Sequence, residues 1–234
     1  SQPPPHSFAP NLGSVRKYNS MTVFLWKHKL TYVSIPKVAC TSLKHMFFEV
    51  ENGHAFTAFK TNGKAYHIHQ FYKGINFADL PTERIEDHIR MTIVRDPLRR
   101  LLSCYSNRVL HHKELSRAKA GPKLRAAGLK PDPDLSLFLE RLDDYCNAVG
   151  SIGHHARPMV DIIGPDPRYF DHIYPIERIG EFAETASKVV GKPLVVPHKQ
   201  TGGPKLSPSD LTPTQVAGIR RHYAQDYDIW GKYI

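Results

Sequence analysis

Apolar and polar residues alternate with two different periods along the chain. "MTVFLW" and "LTYVSI" are β-branched apolar runs separated by "KHK", the pattern of a hairpin or of two successive strands. Leu43, Met46, Phe47 and Val50 fall at i, i+3, i+4 and i+7, so residues 41 to 50 are predicted helical. "AYHIHQF" alternates again, which predicts a short extended segment with His67 and His69 on one face. "LPTERIEDHI" is predicted as a helix with Thr82 at its N-cap. In "RMTIVRDPLRRLLSCYSNRVL", Met91 to Val94 form a buried strand, Asp96 caps a helix and Pro97 takes its first position. Leu98, Leu101, Leu102, Tyr105 and Val109 then line one apolar face.

Residues 111 to 134 are basic, proline-punctuated and poor in large apolar side chains, which predicts a surface excursion or lid. Beyond them "LSLFLERLDDYCNAV" reads as a helix, "FDHIYPI" as a strand and "IGEFAETASKVVG" as a helix ended by Gly191. "PHKQTGGPKLSP" is a loop, and a last helix carries "TPTQVAGIRRHYAQDYDIW". No internal repeat is present. Strands alternating with helices predict an α/β fold with a central, mainly parallel sheet flanked by helices. The expected organisation is an extended, proline-rich arm at 1–20 and a single domain over 21–234.

Composition narrows the ligand. The 234 residues hold 32 Lys and Arg against 22 Asp and Glu, a net charge of +10, so an anionic ligand or partner is expected. The basic residues are scattered and fit no nucleic-acid-binding pattern, which makes nucleic acid the weaker choice. Cys40, Cys104 and Cys146 are odd in number and lack C-x-x-C spacing, which argues against a disulfide framework and for a reducing compartment. No apolar run is long enough for a membrane span, and "SQPPPHSFAP" is no signal peptide.

The strand-to-helix turn after "LTYVSI" carries Lys37 and then the small residues Ala39, Cys40, Thr41 and Ser42. Such a turn catches phosphate, because the free N–H groups and the dipole of the helix favour an anion. It is not a P-loop, since no glycine lies between Tyr32 and Glu51 and the lysine precedes the small residues. Taken alone, the turn is either an anion site or a βα connection with a solvated lysine. Arg95 holds the equivalent place in the second turn, with Ser103 two helical turns further on. Ligands of open α/β sheets sit at the carboxyl ends of the strands, so a molecule with two phosphates would be gripped at both turns.

"IPKVACTSLK" and "IVRDPLRRLLSCY" resemble the two nucleotide-binding motifs of the Golgi-type carbohydrate sulfotransferases that sulfate chondroitin, dermatan, heparan or the HNK-1 glycan. The resemblance implies a P-loop-NTPase-like sulfotransferase fold and 3′-phosphoadenosine 5′-phosphosulfate (PAPS) as donor, leaving adenosine 3′,5′-bisphosphate (PAP) as product. It implies that Lys37, Val38, Ala39, Cys40, Thr41 and Ser42 hold the 5′-phosphosulfate and that Arg95 and Ser103 hold the 3′-phosphate. "YHIHQF" is similar to the Y-H-x-H segment of the uronyl 2-O-sulfotransferases, which makes His69, or else His67, the general base beside Lys37. "HARPM" is similar to the H-W-x-P segment of the chondroitin group, which points to His155 and Arg157 as acceptor residues. "PHKQTGGPK" stands where a late loop covers the nucleotide, adding Lys199, Gly202, Gly203 and Lys205.

On this resemblance Lys113 and Arg117 of the basic stretch become acceptor contacts, the acceptor being a carbohydrate, itself anionic in one version. Ala156 replaces the tryptophan of the chondroitin group, and the family's lumenal disulfide cysteines are missing. The expected location is therefore the cytoplasm of a bacterial-type soluble enzyme, with a truncated Golgi ectodomain as the alternative. No metal is expected, because the leaving phosphate is already held by backbone and lysine and no acidic cluster is present. Cys40 and Cys104 are expected to be buried small residues. A nucleotide kinase of related architecture and a non-catalytic polyanion-binding module are the competing readings.

Overall fold

The computed structural model describes residues 21–72, 77–199 and 202–234. The arm assigned to 1–20 lies outside them. β1 (Met21–Leu25) and β2 (Leu30–Ser34) form a hairpin, one of the two arrangements expected, with Met21 opposite Ser34 and Leu25 opposite Leu30. β2 is buried at every position, as a strand covered on both faces must be. It feeds α1 (Cys40–Asn52). A separate small hairpin follows, β3 (Phe59–Thr61) and β4 (Lys64–Tyr66), turned by Asn62 and Gly63 at φ 47° and 73°. Two positive φ values at an Asn-Gly pair suit the twist of a tight hairpin.

After α2 (Ile68–Phe71), β5 (Ile89–Val94) lies parallel to β2, with Val33 opposite Thr92. α3 (Pro97–Cys104) runs straight on into a π-helical stretch, Tyr105–His111. α4 (Arg117–Ala126), α5 (Leu135–Glu140), α6 (Leu142–Ala148), α7 (Gly150–Ala156) and α8 (Val160–Ile163) build a helical layer. β6 (His172–Pro175) then pairs parallel with β5, and α9 (Ile179–Val190), α10 (Pro213–His222) and α11 (Ala224–Trp230) complete the chain. The sheet order β1-β2-β5-β6 gives the mainly parallel α/β arrangement that the alternation predicts.

The apolar interior is divided in two. One cluster joins the sheet to α1 and α9, where Tyr32, Phe47 and Phe182 meet as tilted and edge-on rings at 5.4 to 6.2 Å. The other, among α3 to α7 and α10, is built on Leu101, Phe138, Tyr145 and Ile219.

Several local expectations are corrected. "AYHIHQF" is not extended throughout: the strand stops at Tyr66, and Ile68–Phe71 turns helical because the Gln70 side chain accepts the His67 N–H at 2.8 Å. Thr82 caps nothing, since Pro81 precedes a short 3-10 turn, Thr82–Ile85. The helix expected over 135–149 breaks at Arg141, and the last one breaks at Tyr223, whose hydroxyl turns inward to the Ala156 carbonyl at 2.5 Å. The basic stretch 111–134 is packed rather than a bare excursion. Leu115, Ala120, Leu124 and Leu129 are buried on one side of it, while Lys113 and Arg117 stay exposed.

The two clusters are joined by Arg100 of α3, which is 1% exposed. Its guanidinium donates to the carbonyls of Pro36 (2.9 Å), Arg157 (2.6 Å) and His155 (3.2 Å). Every acceptor is backbone, so the arginine ties the loop after β2 to the end of α7. Because each buried carbonyl left without a donor costs about 1–3 kcal/mol, Arg100→Met should destabilise the fold by roughly 3 to 5 kcal/mol. The check is the midpoint of urea unfolding at an unchanged m-value. A loss below about 1 kcal/mol would mean that the brace is dispensable.

Candidate functional site

Between β2 and α1 the chain passes through Ile35, Pro36, Lys37, Val38 and Ala39. Lys37 and Ala39 are both in the left-handed region, at φ 66° and 53°, with Val38 fully buried between them. Each such residue without glycine's freedom costs roughly 1–2 kcal/mol. Two arginines hold the conformation, Arg95 of the β5–α3 turn and Arg100 of α3. Arg95 Nη1 donates to the Lys37 carbonyl at 2.9 Å, and Arg100 takes the Pro36 carbonyl. The two strand-to-helix turns are thus in direct contact, as expected of neighbouring parallel strands. Ala39 offers no side chain to cap α1, which leaves the first-turn N–H groups for a ligand. Asp96 does cap α3, accepting the Leu98 N–H at 3.0 Å, and is itself held by the Tyr227 hydroxyl at 2.6 Å.

Positive charge gathers around this junction. Burial lowers Lys37 to about 8, with Arg108 and Arg95 adding to the effect against opposing contributions from Cys40 and Cys104. Lys44, fully buried one turn into α1, is lowered by burial to about 8 as well. Arg108, on the π-helical stretch, pairs with Glu114 at 3.0 Å and also meets His155. His155 Nδ1 donates to the Ser151 carbonyl at 2.7 Å, so its Nε2 is the acceptor of the Arg108 N–H groups at 2.7 and 3.1 Å. That imidazole is locked neutral, its basicity pushed well down by burial and by Arg108. His154 is lowered to about 4 by burial and then by Arg157, Arg100, Lys44 and Arg108.

His69 reaches from α2 to α1. Its Nε2 lies 2.9 Å from the Thr41 hydroxyl and its Nδ1 3.2 Å from the Lys44 amine. Burial lowers it to about 3, with Lys44, Arg108, His45 and His154 adding to the effect. His67 does not share its face: it is an exposed residue at the start of α2. The pairing of the two histidines on one strand face is therefore incorrect, because the chain turns between them. Sequence reasoning missed Lys44. A signal was available, since Lys44, Phe47 and Phe48 fall at i, i+3 and i+4 and all three are buried.

The remaining expected residues divide. Ser103 is half-buried on α3, sharing a helix face with Arg99 and Arg100. The Lys199 N–H donates to the Ser42 hydroxyl at 3.3 Å, which brings the late loop onto α1. Gly202 and Gly203, at φ 76° and 93°, press on the π-helical stretch, where a Cβ on Gly203 would meet the Ser106 carbonyl at 2.5 Å. The Ser106 hydroxyl donates to the Pro204 carbonyl, and Lys205 is exposed beyond it. Arg157 is buried, not presented on the surface as an acceptor contact would be, because its carbonyl is held by Arg100. Arg117 borders a surface hollow with Gly121, Arg125, Leu129 and Pro131. Cys104 is buried, its thiol pushed up to about 11 by burial, whereas Cys40 is half-exposed at the start of α1, contrary to expectation.

A family model described as "Sulfotransferase family" matches residues 21–233. Carbohydrate sulfotransferase 9 of Homo sapiens is 31% identical over 87 residues, which are 36% of this chain and 19% of that protein. Carbohydrate sulfotransferase 11 of Danio rerio is 29% identical over 84 residues, 35% of this chain and 24% of that protein. The matched stretches therefore span about a fifth to a quarter of these relatives. No solved structure matches the chain.

An anion entering this junction must draw protons with it. Lys37 is lowered to about 8 in the free protein, and a bound anion raises it, so near pH 8 binding takes up protons while near pH 6 this lysine is already charged. Titration of the protein with PAP in two buffers of different ionisation enthalpy should show proton uptake at pH 8 that fades toward pH 6. Uptake that is absent at pH 8 would remove the anion from the neighbourhood of Lys37.

Proposed function

The chain belongs to the sulfotransferase family, and from that premise we propose that it moves a sulfuryl group from PAPS to a hydroxyl of a carbohydrate acceptor. The observation that carries this reading is the Arg95–Lys37 bond, which joins two cation-bearing turns at the ends of adjacent parallel strands. A donor with two separate phosphates fits that junction. Its residues are half-buried cations beside an uncapped helix start, a donor set suited to phosphate and phosphosulfate oxygens. In this reading Lys37, the first-turn N–H groups, Thr41 and Ser42 hold the 5′ end, and Arg95 with Ser103 holds the 3′-phosphate.

When bound, PAPS supplies an activated sulfuryl group on a phosphate leaving group. What the chain contributes is positioning and charge. Lys37 meets the negative charge that grows on the departing oxygen, and its half-buried position strengthens that attraction. Arg95 fixes the carbonyl of Lys37 and so the origin of its side chain. His69 is the base: its Nε2 already faces a hydroxyl, that of Thr41, at 2.9 Å, and an acceptor hydroxyl takes that place. His155 is unsuited to the role, since the one lone pair of its ring, on Nε2, is taken by the permanently charged guanidinium of Arg108, whereas the Thr41 hydroxyl on His69 can turn away. The carbohydrate acceptor is supported by the names of the two relatives.

The test begins with calorimetric titration of PAP into the magnesium-free protein. A nucleotide kinase would need the metal, and a general polyanion binder would not favour PAP over other anions. Arg95→Ala should weaken PAP binding by roughly 1.5–3 kcal/mol for each charge-assisted bond lost, beyond the loss seen with adenosine 5′-phosphosulfate, which lacks the 3′-phosphate and reports only the released Lys37 carbonyl. Equal losses for both ligands would sink the two-turn assignment. Lys37→Ala should lower turnover more than it weakens donor binding. Wild-type turnover with only a raised KM would reduce Lys37 to a binding residue.

A further inference from the structure

Lys44 is a lysine with no exposed surface, and its amine lies 3.2 Å from His69 Nδ1. The opposite nitrogen of the ring lies 2.9 Å from the Thr41 hydroxyl in the turn that faces the donor. Hydroxyl, imidazole and amine thus form one continuous line from the candidate reaction centre into the interior. Resting on the reading of His69 as base, we propose that Lys44 is the proton acceptor behind His69. As the acceptor oxygen bonds to sulfur, its proton moves to Nε2 and the S–O electron pair leaves with the donor's phosphate oxygen. The proton on Nδ1 passes to the neutral amine of Lys44, which becomes an ammonium. After the products leave, the proton returns to Nδ1 and another departs from Nε2 to water.

The arrangement resolves a mismatch in the site. A general base works best with a pKa near the operating pH, and His69 alone is far too weak a base to keep the proton. The groups that bear on the imidazole are all potential cations: Lys44, Arg108, His45 and His154. Lys44 is lowered less far, to about 8, by burial, with only Cys40 acting against that shift. The amine is therefore the stronger base of the pair, and the imidazole is the conduit that reaches it. A lysine that only positioned the ring would have to stay charged and donate to Nδ1, which would put the proton on Nε2 and leave no lone pair facing the acceptor. The two roles demand opposite tautomers.

The tautomer is the direct test and needs no turnover. In the 15N-labelled full chain, with His69 assigned by difference from His69→Gln, the ring proton should sit on Nε2 while Lys44 is charged. It should move to Nδ1 as pH rises across about 8. A tautomer unchanged from pH 6 to 10 overturns the proposal whatever the activity. In the kinetic arm, kcat at saturating donor and acceptor should rise across the same ionisation, with Lys37 held charged by the bound donor. Lys44→Met and Lys44→Arg should each lose about 10²-fold in kcat together with that pH limb, with PAP affinity changed by less than about 3-fold. Arginine is the deciding variant, because it can still donate to Nδ1 but cannot be neutral. Wild-type turnover in Lys44→Arg removes the relay and leaves His69 as base. Wild-type turnover in His69→Ala removes the base reading itself, and the relay with it.

Discussion

Everything near the site depends on a loop of unfavourable backbone held by two arginines. A phosphate-binding turn that needs left-handed residues ordinarily supplies glycine there. This chain places Lys37 and Ala39 in those conformations, and the opposing force comes from Arg95 and Arg100 on the carbonyls of Lys37 and Pro36. The strain and its restraint come from different strands, so the turn after β2 is shaped only once β5 has paired beside it. What a P-loop encodes locally in glycines is encoded here in tertiary contact.

The same arrangement sets the electrostatics. Arg95, Arg100, Arg108, Lys37 and Lys44 converge because the loop, α1 and the π-helical stretch meet, and burial penalises each charge that cannot find a counterion. Glu114 partners Arg108, and Glu177 lies within electrostatic range of Arg95. The lysines and histidines respond by losing basicity, which keeps the imidazoles neutral and puts the lysines near their titration range. An anion at the junction reverses that pressure on Lys37, which faces it.

The parts legible in the sequence were those governed by local chemistry. The β1–β2 hairpin and the Asp96–Pro97 helix entry each follow from side chains within a few residues of one another. The expectation for His67 and His69 failed because four alternating residues are too weak a signal against one side-chain bond from Gln70 and the pull of α1 on His69. Breaks at Arg141 and Tyr223 were hidden for a similar reason, since the apolar pattern continues through both while packing demands a change of direction. Lys44 lies on the buried side of α1, but its role was missed because sequence does not show that His69 will meet its amine. The packing of 111–134 rested on Leu115, Leu124 and Leu129, three leucines spread through a charged stretch.

The braces share a property with a consequence for sequence change. Arg95 and Arg100 grip carbonyls of residues 36, 37, 155 and 157, never the side chains that those positions carry. Any residue able to keep its carbonyl in place satisfies them. Substitutions can therefore accumulate along the seam between the two apolar clusters without disturbing the geometry that the seam maintains. Ala156 sits in that seam and offers its own carbonyl to Tyr223. A chain built on this brace can change the side chains at 36, 155 and 157 while the turn after β2 keeps its shape.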